Sequence, residues 1–353
     1  MRAVLLSLLA AAGLAQSDRE RDRSSAEGQE LAPWTPVARP RAAAPTPPPP
    51  TAAAVALKPM SVAKAEMDRI TERRAGWTES LNLRREQLLR DVGRYVSASS
   101  PLADVPTILL AADRLAGKEV VTAGQLYAME FGGSRPNFLL GDCGAGPNLP
   151  VSLAKLPKGV LKEVLKLDGI GGWVVLVRGR VALTDKRRPY LEASVVESVG
   201  DMVQNPTISR FLQKPFKEEL DVASAKDLLR RNAAALARQG GRTYVRIQAL
   251  VADPAAYTGR PISTIGVSND MKLADGRLVL SFGDSYANQN RLDVLAAGLP
   301  LETKVELLRH FSPTPVIAVQ GVVRRTAQGA FYLEAAGAQV LRKVYDLFEV
   351  VVD

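Results

Sequence analysis

Few residues in this 353-residue chain have the type and spacing that chemistry needs. It holds one His (His310) and one Cys (Cys143). A single His excludes paired-histidine metal sites. A single Cys excludes an internal disulfide, a multi-thiolate metal site and an iron–sulfur centre. His310 stands before Phe311 at the end of a helical stretch and reads as a solvated or capping side chain. Cys143 reads as a small buried residue, with no His near it in sequence. Among carboxylates, Asp142 and Asp284 each end a strand-like run at Gly-Asp, and Glu192 and Glu334 each sit in Tyr-Leu-Glu-Ala. Two carboxylates can form an acid/base pair, but their recurrence at matching places favours turn and strand-edge roles. GDCGAG (141–146) is followed by no Lys-Ser/Thr and opens no helix, so it is not a phosphate loop. LKLDGIGG (165–172) has the turn of a helix-hairpin-helix, yet WVVLVRGRV, a strand by composition, follows it. No catalytic set, cofactor or metal is expected, and the chain reads as a non-enzyme.

The net charge is +9, with +3 in residues 1–117, +3 in 118–200, +2 in 201–240 and +1 in 241–353. So diffuse an excess argues for mild attraction to anions rather than a dedicated phosphate groove. One basic feature is local: Arg178, Arg180, Lys186, Arg187 and Arg188, with Trp173 the nearest ring for stacking. Its functional reading is an anion-contacting groove; its plainer reading is a solvated strand face and a charged turn that blocks edge pairing.

The elements that must position these residues begin after two unusual segments. Residues 1–15 have the form of a secretory signal: Met1-Arg2, the apolar run Ala3 to Leu14, and small residues Gly13 and Ala15 before Gln16. No Cys sits at that junction, which argues against a lipid anchor. The expected destination is therefore periplasmic or secreted. Residues 16–60 form a Pro/Ala-rich linker whose PTPPPPT run is stiff and extended and buries nothing.

The remainder repeats itself. A shift of 142 places residues 117–193 on 259–335 with 22 identities in 77 positions, read without a gap. They include Gly117/Gly259, Leu153/Leu295, Ala154/Ala296, Lys162/Lys304 and Tyr190-Leu191-Glu192-Ala193 against Tyr332-Leu333-Glu334-Ala335. That exceeds chance and indicates internal duplication. Upstream, a shift of 140 pairs Leu88-Leu89-Arg90 with Leu228-Leu229-Arg230, and Ala112-Asp113 with Ala252-Asp253. Residues 62–97 and 215–239 have helical spacing, with Ile70, Trp77, Leu81, Leu88 and Leu89 as one apolar stripe. Val245, Ile247, Ala249 and Val251 alternate as a strand would. Strands follow at GKEVVTAGQLY and GRPISTIGVS, then NFLLGD and LVLSFGD; short helices come at 157–167 and 301–310. Long strands at WVVLVRGRVAL and VIAVQGVVRR precede YLEASVVE and YLEAAGAQV. Val175, Val177, Gly179 and Val181 share one face of the fourth strand, which should be the core face, with Gly179 allowing a bend or a close approach.

Three strands, a helix and two strands, carrying GK-V-T-G (117–124), GD (141–142), VLVRGRV (175–181) and YLEA (190–193), resemble bacterial OB-fold domains. The resemblance implies a β-rich α+β protein: two tandem five-stranded OB-fold-like barrels, each preceded by a helix, in domains 61–200 and 201–353. It implies a binding scaffold, and in OB-folds the turn between strands four and five borders the ligand. The expected function is non-catalytic binding in the cell envelope, with an envelope protein or an anionic polymer as partner. The contrasting expectation is single-stranded nucleic-acid or anionic-polymer binding through the basic face of the first barrel. Whether the two halves touch is open, with the helix at 215–239 as the candidate joint.

Overall fold

A computed structural model describes residues 64–130, 136–142, 146–167, 173–201, 207–216, 222–239, 241–274, 276–284, 291–309 and 315–343. The signal-like segment, the linker, Cys143, residues 168–172 and His310 lie outside the described residues. Contacts divide the chain into Met1–Met60 and Ser61–Asp353, and all the described elements belong to the second. Among the described residues no helix is long and apolar enough to cross a membrane.

In chain order the elements are α1 (Lys64–Gly93), α2 (Val105–Leu110), α3 (Ala112–Leu115), β1 (Glu119–Glu130), β2 (Asn137–Gly141), β3 (Leu149–Ser152) and α4 (Lys158–Leu165). Then come β4 (Trp173–Leu183), β5 (Pro189–Asp201), α5 (Ile208–Gln213), α6 (Val222–Ala237), β6 (Thr243–Tyr244) and α7 (Ile247–Ala252). A 3-10 turn at Pro254–Tyr257 leads to β7 (Pro261–Ala274), β8 (Arg277–Gly283), β9 (Leu292–Leu295), α8 (Leu301–Arg309), β10 (Pro315–Arg325) and β11 (Phe331–Lys343).

The first five strands close into an OB-like barrel of order β1-β2-β3-β5-β4, with β3 and β5 parallel and the other neighbours antiparallel. Period-two alternation decides its inside. Val175, Val177 and Val181 point inward with Phe138 and Leu140, all at 0% exposure. The outward-facing Val174 and Leu176 are buried too, because α1 and α5 lie over them and contribute Leu81, Leu88, Val92, Ile208 and Phe211. The stripe on α1 is thus Leu81, Leu88 and Val92, at spacings of seven and four. Trp77, expected in that stripe, is 42% exposed, because it precedes the stretch of helix that rests on the barrel. The side chain of Ile70 lies outside the described residues. Asn82 fastens α1 to the segment after α5: its Nδ2 donates to Phe216 O (3.2 Å) and its Oδ1 accepts from Phe216 N (2.7 Å).

The second sheet is ring-like: β7 pairs β8, β8 pairs β9, β9 pairs β11, β11 pairs β10, and β10 pairs back to β7, with β6 added along β7. Its pairings match the first barrel at an offset of 142. Val120 faces Gly179 as Ile262 faces Gly321, and register shifts recur at Leu126/Ala128 and Ser268/Asp270. The upstream elements keep the same offset, since Val105–Leu110 and Ala112–Leu115 correspond to Ile247–Ala252 and Pro254–Tyr257. The shift of 140 there is therefore not the structural one. Nor is the ungapped match right at the third strand. Phe138 faces Val151, but Leu280 faces Val294, one residue further on. Leu153 N bonds Pro136 O, and its counterpart is Ala296 N on Leu278 O, not Leu295. The identities Leu153/Leu295, Ala154/Ala296 and Lys162/Lys304 are thus not spatial equivalents.

Two strand assignments also change. The alternating Val245 to Val251 stretch is mostly helix α7: Ile247 and Leu250, three apart, are 1% and 0% exposed and face the second core. The third strand of each set is instead the four-residue β3 or β9.

The two halves do touch, and the segment 215–239 reaches both, with Phe216 packed beside α1 and α5 of the first half. Helix α6 lays Leu229 and Leu236 on its own ring, against Ile265, Val267 and Val316. The link runs from α2 to α8: Arg309 Nε donates to Asp104 Oδ2 at 2.6 Å, and Leu110 packs on the second core.

Candidate functional site

The turn between β4 and β5 is built by backbone and hydroxyl bonds. Thr184 N donates to Arg188 O (2.9 Å), Arg187 N to Thr184 O (2.8 Å), and Arg188 N to Thr184 Oγ1 (3.0 Å). The β10–β11 turn repeats all three bonds at Thr326, Gly329 and Ala330. One residue of the turn must be left-handed. In the second half it is Gly329 (φ 90); in the first it is Arg187 (φ 57), at a cost of about 1–2 kcal/mol for a side chain with a Cβ.

The candidate cations divide by their partners. Arg178 Nη2 donates to Glu119 Oε2 at 2.7 Å, with both side chains about one-third exposed. Glu119 also accepts from Ser100 Oγ (2.8 Å) and Ser194 Oγ (3.2 Å). Arg187 Nη2 reaches Asp113 Oδ1 at 2.6 Å. Among the described residues, Arg180, Lys186 and Arg188 have neither ion pair nor side-chain hydrogen bond, and Lys118, whose carbonyl accepts from Val181 N, joins them at this end of the barrel. Arg180 has Glu119 and Glu192 as its cross-strand neighbours. Both are already engaged, Glu119 by Arg178 and Glu192 by Lys155 at 2.6 Å. Asp185 is the tip's uncommitted acid.

Trp173 does not belong to this group. It begins β4, ten residues before Leu183, so the strand carries it about 30 Å from the turn. Its half-buried indole keeps Nε1 without a hydrogen-bond partner. Tyr190 and Tyr332 are half-buried strand residues. Sequence reasoning passed over Tyr127, whose ring lies over Gly141 and whose hydroxyl donates to Gln125 Oε1 (3.2 Å). It also passed over Lys118, which the sequence shows only as part of a turn.

The carboxylates are held as structure. Asp142 accepts from Ser209 N (2.7 Å) and Ser209 Oγ (2.8 Å), and its carbonyl from Ile208 N (2.9 Å), which anchors α5 to the end of β2. Glu334 pairs with Arg324 at 2.9 Å. Among the described residues no group of three or more His, Cys, Asp or Glu could hold a metal ion. The described part of the helix-hairpin-helix candidate ends α4 at Leu165 and continues as strand β4 from Trp173, so its second helix does not form.

The Arg178 guanidinium beside Glu119, aided by the Ser100 and Ser194 hydroxyls, holds this carboxyl below its ordinary value of 4.5. A depressed carboxylate contributes stability above its unfolded-state value and loses it as pH falls through the folded one. The stability difference between the parent chain and Glu119→Gln is therefore expected at pH 7, and to shrink as pH drops below about 4.5. Thermal melting of both chains across that range checks it; a pH-independent difference would contradict it.

No family model and no curated protein matches the chain. Solved structures similar to it include OBody AM1L10 bound to hen egg-white lysozyme, at 20% identity and TM-score 0.26, covering 30% of this chain and 100% of that one. The S. pombe Stn1-Ten1 complex is similar at 20% identity and TM-score 0.20, over 24% of this chain and 59% of that one. Asparaginyl-tRNA synthetase from Pyrococcus horikoshii is similar at 16% identity and TM-score 0.26, over 51% of each chain. Likeness at these scores carries no functional argument, and the strand order stands on the pairings alone.

Proposed function

We propose that this chain is a non-catalytic, exported binding protein of the cell envelope, built of two OB-like barrels in tandem. Its first barrel contacts an anionic polymer through the β4–β5 hairpin. Export is supported by the signal-like residues 1–15, and the tandem by pairings that recur 142 residues apart. One observation carries the binding reading. Among the described residues, Lys118, Arg180, Lys186 and Arg188 gather at one end of the barrel with no ion pair or side-chain hydrogen bond, while Glu119, Asp113 and Glu192 are occupied by Arg178, Arg187 and Lys155 and Asp185 alone is uncommitted. Uncommitted cations set on a rigid hairpin can exchange their counterions for the oxyanions of a polymer. The same positions in the second half are Arg260, Val322, Gln328 and Ala330, so the feature belongs to one barrel.

The test compares two triple variants against a labelled single-stranded oligonucleotide. Arg180→Gln/Lys186→Gln/Arg188→Gln should weaken binding by about tenfold or more at low salt and flatten the salt dependence by about two counterions. Arg260→Gln/Lys272→Gln/Arg277→Gln, equal in charge but on the second ring, should leave both nearly unchanged. Equal losses in the two variants would overturn the reading.

A further inference from the structure

Of the two ion-paired arginines at this end of the barrel, one is built in and the other is held in reserve. Arg178 and Glu119 are each about one-third exposed, and Glu119 is bound by two further hydroxyls. Drawing Arg178 away would strip a partly buried carboxylate of its counter-charge, so this pair is part of the wall.

Arg187 and Asp113 are different. Their side chains are 73% and 71% exposed, and among the described residues Asp113 accepts no other hydrogen bond. An exposed pair of this kind contributes little to stability and is screened by salt. Asp113 stands on α3, and Arg187 holds the one left-handed turn position at which the second half has glycine. The turn does not need an arginine there, since its three bonds form equally around Gly329. The second half lacks both members of the pair: the counterparts of Arg187 and Asp113 are Gly329 and Ala255. Arginine at a strained position and its acid thus occur together at the end of the first barrel where Lys118, Arg180, Lys186 and Arg188 gather.

We infer that Asp113 is an internal competitor for the polymer. It occupies the Arg187 guanidinium in the free protein and yields it to an oxyanion group when the polymer docks. The inference rests on the hairpin being the binding site. The exchange replaces one exposed ion pair with another and leaves Asp113 in water, where it needs no partner. It sets a threshold: a lone small anion must displace Asp113 for a single contact. A polymer held by Lys118, Arg180, Lys186 and Arg188 presents its next oxyanion at high local concentration.

The experiment is fluorescence anisotropy of a labelled single-stranded oligonucleotide with the full chain at fixed low salt. Asp113→Asn should tighten binding by about threefold or more, and Arg187→Gln should weaken it. Asp113→Asn added to Arg187→Gln should bring only the smaller gain of removing a negative charge, without the release of an arginine. Asp185→Asn removes an equal charge from the same tip without freeing an arginine, and it should give the smaller, through-space effect alone. The inference is overturned if Asp113→Asn matches Asp185→Asn, if it tightens binding equally without Arg187, or if it weakens binding. The last result would make Asp113 a positioning residue. A parent chain that fails to bind, or one whose binding ignores Arg180→Gln/Lys186→Gln/Arg188→Gln, would instead remove the hairpin reading itself.

Discussion

Replacing Asp104 with Ala is expected to cost about 3 kcal/mol of stability, the lower end of the range for breaking a buried ion pair. The carboxylate is 2% exposed and fully engaged. Its Oδ1 accepts from Thr107 N at 3.0 Å and so caps α2. Its Oδ2 accepts from Arg309 Nε at 2.6 Å and from Gln213 Nε2 at 2.7 Å. Arg309 Nη2 also donates to Thr107 Oγ1 at 3.3 Å. One carboxylate therefore ties α2 and α5 of the first half to α8 of the second. Its loss removes a helix cap and leaves a guanidinium, only 25% exposed, with the longer contact to Glu306 (3.7 Å) as its remaining ion pair. Urea unfolding should show one transition for the parent chain and a broadened or divided one for Asp104→Ala, because the halves lose their polar link. Asp104→Asn keeps the cap acceptor and should lose less. A loss below about 1 kcal/mol would mean that Arg309 finds water as good a partner.

The second large effect is expected at two glycines. A Cβ on Gly179 would stand 2.6 Å from Glu192 O, and one on Gly321 would collide with Glu334 O. Both obstacles are backbone atoms of the paired strand, which cannot swing aside as a side chain can. Both glycines also sit at a register shift, Arg178/Gly179 and Gln320/Gly321, where the fourth strand bends to close its ring. Gly179→Ala and Gly321→Ala should each cost about 2–3 kcal/mol. Gly159, near the start of α4 with nothing within 4 Å of its Cβ position, is the control, and Gly159→Ala should be neutral or slightly stabilising. Urea midpoints of the three variants decide it; equal midpoints would show that the strands yield.

Strand β4 is readable because Arg178 and Arg180 mark its outer face and leave Val177, Gly179 and Val181 inward, although its first half is apolar on both faces at Val174 to Val177. Strand β3 was not readable. Leu149–Ser152 is four residues long and holds a proline, too short for any period to show. Helix α7 was misread because six residues satisfy two periods at once. Ile247, Ala249 and Val251 alternate, while Ile247, Leu250 and Val251 also fit a helix, and the second core took the helix. The offset of 140 arose from Ala-Asp pairs that recur by chance of composition, whereas backbone pairing holds 142 through the same region.

The candidate site divides in the same way. Its cations were visible as residue types in one strand and one turn. Their partners were not, since Glu119 and Asp113 are 59 and 74 residues away in sequence and only the closed barrel brings them near. Trp173 looked close in sequence, but an extended strand turns ten residues into a long distance.

The central claim, an anionic polymer on the first hairpin, is tested most directly by the affinity of the full chain for a single-stranded oligonucleotide across a salt series, with an anionic glycan as competitor. Three to four cation contacts predict a fall of log affinity with log salt of slope about −2 to −3, and displacement by the glycan. No binding at low salt, or binding indifferent to salt, would contradict it.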